Sequence, residues 1–246
     1  MVEIAHASIS ETGSVNGVSG DQTGKEVCKR SWYSKPWSCV IRFKSTEMAD
    51  RVATCMENAA KNDNIGYGQK DRNSLFAECK PFGYDVSKVT KKVNCDCSSL
   101  VSVACMYAGV DEKLLYAYGN CATTRTLKAS LQRTGEVEIF TTADYTTKSD
   151  KLKRGDILLS EGHHVAVVIV AEAAGIKKAD PVIVKQILDG KLGNGSERKN
   201  KVIEMGYNYD DVQRKVNEVV TMAETIHHMK NQLGEYWDIA VLLEMR

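Results

Sequence analysis

The stretch NCDCSSLVSVA, residues 94–104, sets an acidic residue and two cysteines directly before an apolar run with helical spacing. A cysteine in a first helical turn sits where the helix dipole and free backbone N–H groups favour a thiolate, which can bring its pKa to about 3.5–7.5. The same N–H groups can hold the oxyanion formed when a thiolate attacks a carbonyl. Such a nucleophile needs a base, usually histidine. The chain has five histidines, and two of them, His163 and His164, stand at the head of its most apolar run, HVAVVIV. The chemistry these residue types support is therefore acyl transfer, with Cys97 as nucleophile. A metal site built from Cys95, Cys97, His163 and His164 is disfavoured, because C-x-C with H-H lacks the usual zinc-ligand spacings. Neighbours in an extended segment also point to opposite sides. No metal and no cofactor is expected.

The elements that must carry these residues are legible from periodicity. Residues 46–62 place Met48, Val52, Cys55, Met56 and Ala59 at helical intervals. CSSLVSVACMYAGV repeats that spacing and ends at Gly109, and TTRTLKASLQRTG reads as a further helix ending at Gly135. SWYSKPWSCVIRF suggests one or two short strands. ILLS and HVAVVIV, joined by Glu161-Gly162-His163, predict a tight antiparallel pair after Arg154-Gly155-Asp156. EAAGIKKAD loses periodicity and reads as a linker, after which PVIVKQILDGK and DDVQRKVNEVV are helical around a Gly/Asn turn.

The bulk properties limit the alternatives. With 246 residues, 43% hydrophobic and 26% charged, the chain suits one ordinary domain and a small second one. A net charge of +1 with interleaved signs argues against nucleic-acid binding. No apolar run approaches the roughly 18 residues of a membrane span, so no membrane insertion is expected. The opening MVEIAHASISETGSVNG lacks the layout of a signal peptide, which predicts synthesis in a reducing cytoplasm. The eight cysteines, all before residue 122, are then expected as free, mostly buried thiols.

DCSSLV followed by LKRGDILLSEGHHVAVVI resembles the Cys and His motifs of NlpC-type and CHAP-type papain-like peptidoglycan hydrolases. The resemblance implies that Cys97 is the nucleophile and that His164, beside Val165, is the base. IGYGQ resembles the tyrosine-bearing segment of those families, which places Tyr67, with Asp96, as oxyanion or substrate support. GDQTGKEV with SWYSKPW resembles the N-terminal segment of phage endolysins of this type. Those families orient the histidine with a polar residue from the strand after the His strand. Here the chain runs into EAAGIKKAD instead, which leaves Glu172, Glu26 and Asp21 as candidate orienters.

IVKQILDGKLGNGSERKNKVIEMGYNYDDVQRKVNEV resembles the CW_7-type cell-wall-binding repeat of phage lysozymes, through its G-K-x-G-N-G-x-x-R and G-Y-x-Y-x-x-V-Q-x-x-V-N patterns. Lys191, Asn194 and Arg198 gather polar groups on one loop suited to a muropeptide. Residues 221–246 match no pattern; their apolar positions suit docking or self-association, and His227-His228 is expected to face solvent.

The expectation is thus an α+β chain. A papain-like cysteine hydrolase domain, helices packed on a small antiparallel sheet, would fill residues 1–176. An all-α wall-binding module would fill 177–220, and a tail 221–246. The implied function is that of a phage endolysin cleaving an amide of the peptidoglycan peptide stem, made in the host cytoplasm and released by a separate holin. The rival is a non-catalytic wall-binding protein that keeps the hydrolase fold. Alkylation of Cys97 well below pH 8 is expected of the enzyme and not of the scaffold.

Overall fold

The computed structural model describes residues 2–171 and 177–233. The chain divides into two compact units, Met1–Ala173 and Ala174–Arg246.

Along the first unit run β1 (Glu3–Ala7), β2 (Val27–Ser31), β3 (Cys39–Phe43), α1 (Thr46–Ala59), β4 (Ile65–Tyr67), α2 (Ser74–Cys79), β5 (Val93–Cys95) and α3 (Cys97–Tyr107). They are followed by α4 (Glu112–Leu115), β6 (Tyr116–Ala117), β7 (Asn120–Cys121), α5 (Leu127–Gln132), β8 (Val137–Phe140), α6 (Ala143–Thr146), β9 (Ile157–Ser160) and β10 (His164–Val170). The fold is α+β. Its main sheet has six strands in the order β2-β1-β10-β9-β3-β8, paired antiparallel throughout.

Period-two alternation gives this sheet two faces. Ala5, Ala7, Ile41, Phe43, Ile157, Leu159, Val165, Val167 and Ile169 join the buried residues of α1 and α3 in one core. Ile4, Val40, Leu158, Ala166 and Val168 pack with Trp37 and Leu152 in a smaller core on the other side. Gly155, at φ +85°, allows the turn before β9 to lie against α1, where a Cβ would come within 2.3 Å of the Ala49 carbonyl oxygen. That contact accounts for the glycine of Arg154-Gly155-Asp156.

The antiparallel pair read from ILLS and HVAVVIV is only part of the sheet. Three strands precede α1, and the sheet is assembled from both ends of the unit. The neighbour of β10 is β1, in the register Glu3↔Val170, Ile4↔Val168 and Ala5↔Val167. EIAHA does not alternate strictly between apolar and polar residues, so it does not read as a strand without its partner.

The second unit carries α7 (Pro181–Leu188), α8 (Gly195–Glu204) and α9 (Tyr209–Leu233). Asp180 caps α7 by accepting the N–H groups of Val182 and Ile183. Ile183, Val184, Ile187, Leu192, Val202, Val212 and Val216 form its core. The periodic reading anticipated α7 and the start of α9. It missed α8, whose only fully buried side chain is Val202, and the extension of α9 to Leu233.

Candidate active site

Cys97 opens α3. The turn before it is fixed by a capping box: Asp96 accepts the Ser99 N–H at 2.7 Å, and the Ser99 hydroxyl accepts the Asp96 N–H at 2.8 Å. Arg72 closes the arrangement with Nε 2.6 Å and Nη2 3.1 Å from the two Asp96 carboxylate oxygens. It also donates to Ser98 Oγ and to the carbonyls of Cys121 and Ala122. Burial opposes the Asp96 charge, but the Arg72 guanidinium and the Ser99 N–H prevail and hold its pKa below the usual carboxylate value. Asp96 is thus fully engaged in holding the helix start. Arg72, which no spacing in the sequence announces, is the residue that locks it.

Cys97 is 8% exposed. Burial and then the Asp96 carboxylate push its pKa up to about 11, against hydrogen bonds from the backbone of Val165 and Ser98. The dipole-stabilised thiolate expected from a helix start is therefore absent at rest. Desolvation outweighs the favourable N–H groups here.

Val168 N–H bonds Asp156 on the β9 side, so alternation turns the Val165 N–H toward β1. The β1 register stops at Ala5↔Val167, so the Val165 N–H lies at the end of the seam, among the backbone donors that favour a Cys97 thiolate.

The histidine pair stands at the same end. His164 is half-buried at the head of β10, with Nε2 2.8 Å from Nδ1 of His6 on β1 and the two rings edge-on at a centroid distance of 5.1 Å. Trp37 lies 6.3 Å away, centroid to centroid. His6 is 2% exposed, and its Nε2 is buried without a hydrogen-bond partner among the described residues. Burial, then the charge on His6 and on Lys35 and Arg30, lowers His164 to about 3; burial, then Arg30 and Lys35, lowers His6 to about 4. Both rings are neutral near pH 7. His163 is exposed in the preceding turn.

The remaining candidates divide. Tyr67, on β4, accepts a hydrogen bond from Gln69 at 3.2 Å. Burial, and further the charges of Cys97 and Asp96, raise its pKa, which puts the phenol within electrostatic reach of Cys97. Glu26 does not orient His164. Its oxygens accept the backbone N–H groups of Gln22 (2.7 Å) and Tyr67 (3.1 Å), pinning the N-terminal loop to β4. Asp21 is likewise occupied by the backbone of residues 23–27. Glu172 lies outside the described residues. The partner found for His164 is His6, which the family pattern could not indicate because it comes from the first strand. Among the described residues no cluster of three or more His, Cys, Asp or Glu side chains is arranged to hold a metal ion.

In the second unit, Arg198 turns inward on its own loop. It donates to the Gly193 carbonyl (3.1 Å), to Asn194 Oδ1 (2.7 Å) and to Gln213 Oε1 on α9 (3.4 Å). Lys191 is exposed and pairs with Asp189 at 3.0 Å. The loop geometry predicts that Arg198→Ala lowers the unfolding free energy of residues 174–246 by about 1 kcal/mol, measurable by urea titration with circular dichroism. Lost wall binding with an unchanged unfolding curve would instead make Arg198 a ligand contact.

Comparison with known proteins agrees with this division of the chain. The model of a family described as an endolysin-like domain matches residues 4–174, and that of the CW_7 repeat matches residues 182–220. No curated protein and no solved structure matches the chain. Among the described residues no helix is long and apolar enough to cross a membrane.

Proposed function

The chain belongs to the endolysin-like domain family over residues 4–174, and from that premise we propose that it is a peptidoglycan hydrolase cutting an amide of the wall's peptide stem through Cys97 and His164. Family membership points to a phage cell-wall lytic enzyme, and the CW_7 repeat to wall binding. The observation that supports the finer reading is that α3, which Cys97 opens, packs against β10, which His164 opens, with His6 hydrogen-bonded beside it. A papain-like domain would occupy residues 1–176 and an all-α wall-binding module residues 177–220.

The resting pair is a thiol and a neutral imidazole, so the nucleophile is generated in the reaction itself. As Sγ bonds the substrate carbonyl carbon, its proton passes to Nδ1 of His164. For this, His164 carries its resting proton on Nε2 and donates it to Nδ1 of His6, which leaves Nδ1 free to accept. The imidazolium formed is then held by that same bond, the part an orienting residue plays in a triad. Free N–H groups at the start of α3, with the Tyr67 hydroxyl, stabilise the oxyanion. His164 returns the proton to the departing amine, the C–N bond breaks, and water activated by His164 releases the acyl group from sulfur. Acid–base assistance of this kind contributes about 10²–10⁴-fold. Arg30 and Lys35, whose charges reach the histidines, would attract stem carboxylates.

Two units with separate cores predict separable functions. Residues 1–176 should cleave soluble stem-peptide fragments at nearly the full-chain rate and lyse intact walls more slowly, because the tether that raises local concentration is gone. Parallel rates on fragments and on walls, followed by mass spectrometry of the products, check this and identify the bond. Equal losses on both substrates would show that the second unit supports the fold of the first.

A further inference from the structure

Val219 still lines an apolar groove with Val184 and Leu188 of α7, and beyond it α9 leaves the core of its unit. Val212 and Val216 are buried there, but every residue from 217 to 232 is exposed. A helix this long without tertiary support is marginal in water, and its composition is not that of a solvated rod. Val219, Met222, Ile226 and Met229 fall on one stripe at alternating intervals of three and four, and Met222 is 64% and Ile226 46% exposed. Leu233 is next in the period, and the sequence keeps the same phase through Tyr236, Ala240 and Leu243.

We propose that this stripe is one half of a parallel two-stranded coiled coil formed with a second copy of the chain. In heptad terms the β-branched Val219 and Ile226 take the a positions and the unbranched Met222 and Met229 the d positions, the distribution that favours two parallel strands. No charge interrupts the stripe. The flanking e and g positions carry Glu218 and Lys230, one charge of each sign, so two copies side by side bring no like charges together at those positions. The chain's own remaining segment is a poorer occupant. In the sequence the a/d period continues past Leu233 in the same phase, a pattern that a second copy can match in register. Pairing of two copies would also bring two wall repeats into one particle, a consequence that rests on the wall-binding reading while the pairing itself does not.

Sedimentation equilibrium of the full chain tests the proposal. The wild type should run at twice the chain mass, and Ile226→Glu at the mass of one chain with reduced helicity confined to the α9 contribution. Mixing the Ile226→Glu and Ile226→Lys proteins should restore the doubled mass, because parallel a positions face one another. A wild type that stays at single mass over a wide concentration range overturns the proposal, as does an Ile226→Glu protein that still doubles. Failure of the mixed pair to recover overturns the parallel pairing, whatever the fold of either variant alone.

Discussion

Cys97→Ala is expected to abolish lysis of susceptible walls, lowering turnover at least about 10³-fold while leaving the fold in place. The first half follows from the loss of the proposed nucleophile. The second follows from packing: the substitution removes one sulfur, and the capping box of Asp96 and Ser99 that starts α3 does not involve the thiol. Cys95→Ser is the control. That thiol is buried and donates toward the Gly66 carbonyl at 3.5 Å, a bond a hydroxyl can also make, so much of the activity should remain. Undiminished lysis by a folded Cys97→Ala protein would remove the nucleophile assignment. Alkylation of the free wild type needs a changed criterion: with the thiol at about 11, iodoacetamide should react slowly near pH 7.5 even in a competent enzyme. Slow labelling alone therefore does not identify a scaffold.

The second large effect concerns the histidines. His164→Ala should lower turnover by about 10²–10⁴-fold, His163→Ala far less, and His6→Ala by an intermediate factor through kcat, since His6 would act by holding the imidazolium. The pH profile carries the distinguishing information. A base lowered to about 3 stays unprotonated through mildly acidic conditions, so the acid limb of kcat/KM should lie well below the ordinary histidine value of about 6.5. Stability should move oppositely. Both rings fold in neutral form and unfold to ordinary histidines, so their contribution is complete above pH 6.5 and is lost as pH falls toward about 4 for His6 and about 3 for His164. For His6 the loss is on the order of 3 kcal/mol, visible as a falling Tm that His6→Gln should flatten. A wild-type Tm independent of pH between 6.5 and 4 would contradict the buried neutral pair.

How much of this was legible depends on the distance over which each interaction is encoded. The start of α3 is local: Asp96, Cys97 and Ser99 are within four residues, and the capping pattern can be read directly. β9 and β10 are adjacent, and their apolar runs are long enough to register as strands. His6 belongs to a five-residue strand whose role depends on a partner 158 positions away, and no local periodicity carries that information. Arg72 is similar, reaching Asp96 and two carbonyls from 24 to 50 positions distant. Glu26 illustrates the same limit, since a buried carboxylate serves the backbone N–H groups of Gln22 and Tyr67 as readily as an imidazole, and no spacing in the sequence decides between them. The raised Cys97 pKa was hidden because a helix start is visible in sequence and the depth of its burial is not.

The seam between β1 and β10 also has a kinetic side. Closing a loop of this length is entropically costly, and pairings remote in sequence tend to form late. During synthesis α3 and its capping residues emerge well before β10, so the sulfur can be in position while the imidazole has yet to be made. Under the proposed chemistry a nascent or half-refolded first unit holds a thiol without its proton acceptor. Activity would then return with the docking of the last strand rather than with the bulk of the helical signal, and an unfinished chain would be harmless to the cell that makes it.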